Sequence, residues 1–237
     1  MRKLSLFKHS AVGLNITDRA MEVIRISKEG DSFKVTSKNK LNFGKGLVER
    51  GKVIQVDQLK EKIKILLKTA KPHPNTESTI VFGIADEQVF NQLYRKPVTT
   101  HCYEKINNRE AHHTFPIPPR DINVSTKKMA IINKQQEYLL TGVSKKTILE
   151  WTSLFEQLEL NVHIHPKSYA IYRGLLQKAA AQAIAIINFD IASTAIHIFS
   201  EHGLHYSYVI NSGGEDVVNT LSETLSVNHK KAEKMIH

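Results

Sequence analysis

The sequence predicts a mixed α/β fold, on three observations. Short apolar runs at 11–16, 21–26, 79–84 and 183–190 have the length and texture of strands. Residues 57–71 and 144–158 instead carry apolar side chains at helical spacing. A strand, polar turn and strand (AVGLNITDRAMEVIRI) then returns about 175 residues later as IINFDIASTAIHIF, a weak internal repeat.

The chain has 237 residues, 41% hydrophobic and 24% charged, which excludes wholesale disorder, a collagen and a membrane-spanning bundle. Its longest apolar run, 179–187, is broken by Gln182 and falls short of the ~18 residues a bilayer requires. A single cysteine, Cys102, can form no intramolecular disulfide, and the opening MRKLSLFKHS lacks the apolar core of a signal peptide. Both point to a reducing cytoplasm.

The elements follow in order. Residues 11–16 and 21–26, separated by Thr17-Asp18-Arg19, form a hairpin that 32–43 extends into a meander. Asp57 is expected to cap a helix that buries Leu59, Ile63, Leu66, Leu67 and Ala70 and turns Lys60, Lys64, Lys68 and Lys71 to water. Pro72-His73-Pro74-Asn75 stops it, and TIVFGI at 79–84 reads as a strand covered on both faces. Between 89 and 153 the texture changes, with a helix expected over 103–113, a rigid break at 115–119, and strands at 121–125, 129–133 and 137–143. Ser144 opens a helix with Ile148, Trp151, Leu154, Phe155 and Leu158 inward. A strand at 161–165 follows, and Pro166 introduces a helix running toward Ala181. A buried strand at 183–190, strands at 195–199 and 204–210, Ser212-Gly213-Gly214 and two helical stretches complete the chain.

Lysine and arginine number 33 against 23 acidic residues, a net charge of +10 that attracts anionic partners and surfaces. The cations are scattered: Arg2, Lys3, Lys8, the run from Lys60 to Lys71, and Lys230, Lys231 and Lys234. No stripe interleaves them with stacking aromatics, so no specific nucleic-acid site is read. His163 and His165 share a strand face and His197, His202 and His205 cluster about a hairpin, yet no cysteine or carboxylate completes a metal set. They are expected to be surface or hairpin histidines. There is no Gly-x-Ser-x-Gly, no His-Glu-x-x-His, and Gly44-Lys45-Gly46 lacks P-loop spacing, so no catalytic residue is assigned.

The motifs that remain lie at the repeated turns. Val12-Gly13-Leu14-Asn15-Ile16-Thr17 and Asp190-Ile191-Ala192-Ser193-Thr194 each join strand to strand, and turn amides and hydroxyls are groups that cradle phosphate. Together with the 45–54 segment, Val89-Phe90 through Pro97, Glu110-Ala111, Phe115-Pro116-Ile117-Pro118, Tyr138-Leu139-Leu140, the 166–174 segment, Gly213-Gly214 and Ala232-Glu233, they resemble the type IV pilus assembly PilM family of the actin-like superfamily, with FtsA as a relative.

That resemblance implies an actin-like (ribonuclease-H-like) half-domain in 1–88 and 154–182, a small inserted α+β subdomain in 89–153, and an incomplete second half in 183–237 that makes the chain shorter than the usual two-half plan. It implies ATP with magnesium as cofactors. By the same resemblance Gly13, Asn15, Thr17 and Asp18 would serve the first phosphate loop, Asp190, Ser193 and Thr194 the second, and Gly213 and Gly214 the paired glycines. The sequence departs from the family pattern with Asn15 for aspartate, Thr17 and Ala192 for glycine, and Glu22 and Ile236 for lysines. These changes remove charge from the magnesium side, crowd the backbone and imply weakened nucleotide binding without efficient hydrolysis. The family role is a cytoplasmic scaffold that binds the cytoplasmic tail of a single-pass inner-membrane protein of the PilN kind, in a groove between first half and insert. Other pilus assembly proteins would join it, and membrane association would be peripheral, through the partner. An FtsA-like division protein and an active ATPase or kinase of the same superfamily are the alternatives.

Overall fold

The computed structural model describes residues 10–30, 32–98, 114–175 and 182–236. Cys102, the helix expected over 103–113, the Glu110-Ala111 pair, the stretch 176–181 and the cations Arg2, Lys3 and Lys8 lie outside the described residues. The strands are β1 (Ser10–Ile16), β2 (Ala20–Glu29), β3 (Ser32–Asn42), β4 (Val48–Glu49), β5 (Lys52–Val53), β6 (Thr79–Ile84) and β7 (Val89–Pro97). There follow β8 (Ile122–Ile132), β9 (Gln135–Ser144), β10 (Asn161–Pro166), β11 (Ile184–Phe189), β12 (Thr194–Ser200) and β13 (Gly203–Ile210). The helices are α1 (Val56–Lys68), α2 (Lys145–Glu156), α3 (Lys167–Leu175), α4 (Gly214–Thr224) and α5 (His229–Ile236).

The chain gathers into two compact units, Met1–Ala85 with Lys146–Lys167, and Asp86–Lys145 with Ser168–His237. The sequence reading keeps 89–153 apart from 183–237, whereas 86–145 and 168–237 here share a unit.

In the first unit a five-stranded sheet runs β10-β6-β1-β2-β3. Antiparallel pairing of β1, β2 and β3 reproduces the expected meander, while β6 and β10 add parallel on the other edge of β1. Period-two alternation sends Val12, Leu14, Ile16, Met21, Val23, Ile80, Phe82 and Ile84 to one buried face. There Phe82 meets Trp151 and Phe155 of α2, with ring centroids 4.4 and 5.2 Å away. The indole Nε1 of Trp151 donates to the Gly51 carbonyl at 3.1 Å, which satisfies its buried polar atom. Helix α1 packs across β2 and β3 and buries Leu59, Ile63 and Leu66.

Two expectations need correction here. Strand β6 is covered on one face only, because Thr79 and Val81 alternate outward. Asp57 does not cap α1: Gln55 holds that position, and the Asp57 carboxylate bonds Lys60 Nζ at 2.8 Å one turn on. That ammonium keeps the exposed carboxyl below its usual range, in the first turn where the helix dipole also favours negative charge.

The second unit holds two three-stranded sheets, β7-β9-β8 and β11-β12-β13. Central β9 is buried on both faces. Tyr138 and Leu140 pack with Tyr94, Phe115 and Val124, while Leu139 packs with Phe199, Leu204 and Tyr172. The expected strands at 121–125 and 129–133 are one strand, β8, whose register shifts between Lys128 and Ile131. The run at 183–190 is not a buried strand either. Its cross-strand rows on one face are Ala185-Ile198-Tyr206, Ile187-Ile196-Tyr208 and Phe189-Thr194-Ile210, and Ile187, Phe189, Tyr206, Tyr208 and Ile210 are exposed.

Burial pushes the Tyr169 phenol in α3 above its usual value of 10, with the Thr141 hydrogen bond and the Arg173 charge partly opposing the shift. The folded state therefore binds the proton more tightly than the unfolded chain. That contribution is complete below about pH 10 and is lost as pH rises from there through the folded value. Tyr169→Phe is accordingly expected to flatten the alkaline decline of stability, read by urea unfolding at pH 9 and pH 11. Trp151 is the sole tryptophan, so its fluorescence reports the first unit directly. Leu154→Ala, which empties a neighbouring fully packed position, is expected to lower stability followed by that signal by about 2–5 kcal/mol.

Candidate functional site

The nucleotide-binding residues read from sequence fall at two turns, one in each unit. Gly13 and Asn15 lie in β1, and Thr17 and Asp18 in the turn to β2. Thr17 N–H donates to the Ala20 carbonyl at 2.8 Å, and Thr17 Oγ1 accepts from the amides of Ala20 and Arg19 at 3.2 and 3.4 Å. The threonine that replaces glycine thus satisfies the turn from within. Asp18 Oδ2 accepts from the Arg50 amide at 3.0 Å. Asn15 Oδ1 is buried without a hydrogen-bond partner, and its β2 neighbour Glu22 pairs with Lys40 at 2.8 Å.

The second turn closes in the same manner. Asp190 N–H donates to the Ser193 carbonyl at 2.9 Å, and Asp190 Oδ1 accepts from the Ile191 amide at 2.8 Å. The paired glycines pack directly onto this turn. Gly214 N–H donates to the Asp190 carbonyl and Glu215 N–H to the Ile191 carbonyl, each at 3.0 Å. These are first-turn amides of α4, which an anion at a helix N-terminus would use. Gly213 N–H is taken by Asp216 Oδ2 at 2.9 Å, and Thr194 Oγ1 donates to the Ser212 carbonyl at 2.7 Å. A Cβ on Gly213 would lie 2.4 Å from the Asp190 oxygen, so glycine is required here for close backbone approach.

Ser193 is held from a direction the sequence did not disclose. Consecutive carboxylates at Asp86 and Glu87, in a 3₁₀ turn, reach β12 and its entry. Ser193 Oγ donates to Glu87 Oε1 at 2.5 Å. Asp86 Oδ1 accepts from the Ser168 amide in the first turn of α3 at 3.2 Å. Asp86 Oδ2 lies 3.3 Å from His197 Nε2, an ion-pair distance without hydrogen-bond alignment, and His197 Nδ1 is 2.9 Å from Ser207 Oγ. His197 lies in the β12-β13 hairpin, as one expected alternative had it, but is fully buried, which corrects the surface alternative; His205 in β13 pairs with Ser200 at 2.6 Å. The signal for Asp86 and Glu87 is only an acidic pair closing a strand, and their partners are about 100 residues away.

A triphosphate needs convergent free donors and a magnesium needs carboxylate or water ligands. At these positions the amides of Arg19, Ala20, Gly214 and Glu215 and the Ser193 hydroxyl are engaged by the chain's own oxygens. Asn15 brings an uncharged acceptor. Taken one turn at a time, these engaged groups are not open donors for a phosphate.

A five-stranded β10-β6-β1-β2-β3 sheet in one unit and a second strand-turn-strand sheet in the other define an actin-like fold. Among solved structures, the PilM–PilN type IV pilus biogenesis complex is similar at 15% identity and a TM-score of 0.77, over 95% of this chain and 68% of that one. EutJ, an ethanolamine utilization protein from Carboxydothermus hydrogenoformans, is similar at 10% identity and a TM-score of 0.58, over 97% of this chain and 61% of that one. MreB5 of Spiroplasma citri bound to AMPPNP is similar at 9% identity and a TM-score of 0.54, over 95% and 61%. At these identities the likeness is one of fold. No curated protein matches the sequence. The sequence matches the type IV pilus assembly protein PilM family over residues 13–236, and the chain belongs to that family.

Gly213→Ala is expected to destabilise the second unit by about 3 kcal/mol, because the added methyl meets backbone oxygens that cannot withdraw. Gly13→Ala, whose Cβ would sit 3.5 Å from an Ile24 methyl, is expected to change stability by less than about 1 kcal/mol. Thermal unfolding of the two variants separates these outcomes.

Proposed function

We propose that the chain is a non-enzymatic scaffold of type IV pilus assembly that binds the cytoplasmic tail of a single-pass inner-membrane protein of the PilN kind. The observation that carries this reading is family membership over nearly the whole chain, joined to likeness with the PilM–PilN complex. Recognition would use backbone hydrogen bonds and side-chain pockets along an extended tail. No helix among the described residues is long and apolar enough to cross a membrane. On the family reading, attachment at the inner face of the cytoplasmic membrane is assigned to the partner, with the net charge of +10 adding attraction to anionic headgroups. Other pilus assembly proteins would gather on the same scaffold.

The engaged turn amides support the non-enzymatic part of the reading. Nucleotide, where bound, would bias a conformation and would not be turned over. MreB5 bound to AMPPNP keeps nucleotide binding within reach of the fold.

Calorimetric titration of the purified chain with a synthetic PilN-like tail from the same genome tests the partner. Saturable binding at one tail per chain is expected, with micromolar affinity at about −8 kcal/mol. Heats indistinguishable from those of a scrambled tail would overturn it. Phosphate release from MgATP is expected to stay at the buffer background, and turnover at about 1 per second or faster would establish the ATPase alternative instead.

A further inference from the structure

The chain passes between its two units at 85–86, 145–146 and 167–168. Asp86 and Ser168 are the first residues of the second unit at two of these passages, and one hydrogen bond ties them: Asp86 Oδ1 accepts from the Ser168 amide at 3.2 Å. That amide lies in the first turn of α3, where no helical carbonyl can reach it. Asp86 thus does for α3, from 82 positions away, what a capping side chain does locally. The same carboxylate has its other oxygen 3.3 Å from His197 of β12, and both side chains are buried, at 5% and 0% exposure. The next residue, Glu87, accepts from the Ser193 hydroxyl at the entry to β12. Two neighbouring carboxylates of one short 3₁₀ turn therefore hold both the start of α3 and the second repeated turn.

We infer that Asp86-Glu87 is a conformational coupler, which makes the second repeated turn and the start of α3 hold or let go together. One reason is the cost of a stranded charge. Among the described residues, Asp86 is met only by the Ser168 amide and the imperfectly aligned His197, and Glu87 only by Ser193. A buried carboxylate that loses its donor keeps the desolvation penalty, so Asp86 resists parting from Ser168 while it stays in place. The other reason is the short tether. Ala85 alone separates the 3₁₀ turn from β6, and Val89 opens β7 directly after it, so neither carboxylate can shift without moving its neighbour. Linkage makes the effect reciprocal. Drawing the Ser193 hydroxyl away from Glu87 weakens the hold on Ser168, and displacing the start of α3 weakens the hold on Ser193. Asp86 and Glu87 are positioning residues, and the network they form is continuous in hydrogen bonds from the second turn to a passage between the units.

Amide hydrogen exchange of the full chain, read at Ser168, tests the proposal, because that amide reports the Asp86 bond directly. The variant Ser193→Ala acts at the far end of the coupler: it removes the donor to Glu87 and leaves the Asp86–Ser168 pair chemically intact. It is expected to speed exchange at Ser168 by about tenfold or more, the loss of one hydrogen bond to a charged group, while the ladder amides between β8 and β9 change by less than about twofold. Circular dichroism checks that the variant folds. Should it not fold, Glu87→Gln replaces it; this keeps the shape and an acceptor but not the charge, and an acceleration of about threefold at Ser168 is expected. Exchange at Ser168 that stays at the wild-type rate in the folded variant overturns the proposal. Equal acceleration at Ser168 and in the β8-β9 ladder also overturns it, since that marks general loosening of the unit. The assay contains neither nucleotide nor tail peptide, so its result is independent of the pilus reading.

Discussion

Backbone amides at a hairpin turn must find acceptors, and in this chain both repeated turns find them within the polypeptide. At the first turn the acceptor is the Thr17 hydroxyl; at the second, the carbonyls of Asp190 and Ile191 receive the first amides of α4. From this constraint follow the need for glycine at 213 and the seating of α4 against the turn. The Glu87 bond to Ser193 and the Asp86 approach to His197 secure the same turn and strand from a third direction.

Parts of this were legible because they rest on period and local chemistry. The meander, α1, β6, β10, the three last strands and α4 all appear in the alternation or helical spacing of apolar residues. Burial was less legible than position. The run IAIINF of β11 has the texture of a strand covered on both faces, yet Ile187 and Phe189 are open, since apolar content says nothing of whether a cover exists. Strand β8 read as two strands because the shift between Lys128 and Ile131 breaks its alternation.

The candidate site divides along the same line. Its residues were found by their place in a repeated strand-turn-strand pattern, and each lies at a turn or in a strand or helix beside one. What holds them was invisible, because Ser193 is engaged by Glu87, over 100 positions earlier, and Asp18 by the amide of Arg50. Thr17 reads in the sequence only as crowding the backbone, whereas its hydroxyl accepts from the amides two and three positions on.

The central claim is that these turn amides are satisfied internally, and amide hydrogen exchange at Arg19, Ala20, Gly214 and Glu215 tests it most directly. The account predicts slow exchange in the free protein that saturating MgATP leaves unchanged. Fast exchange in the free protein that slows on adding MgATP would contradict it, because the amides would then be open donors awaiting phosphate.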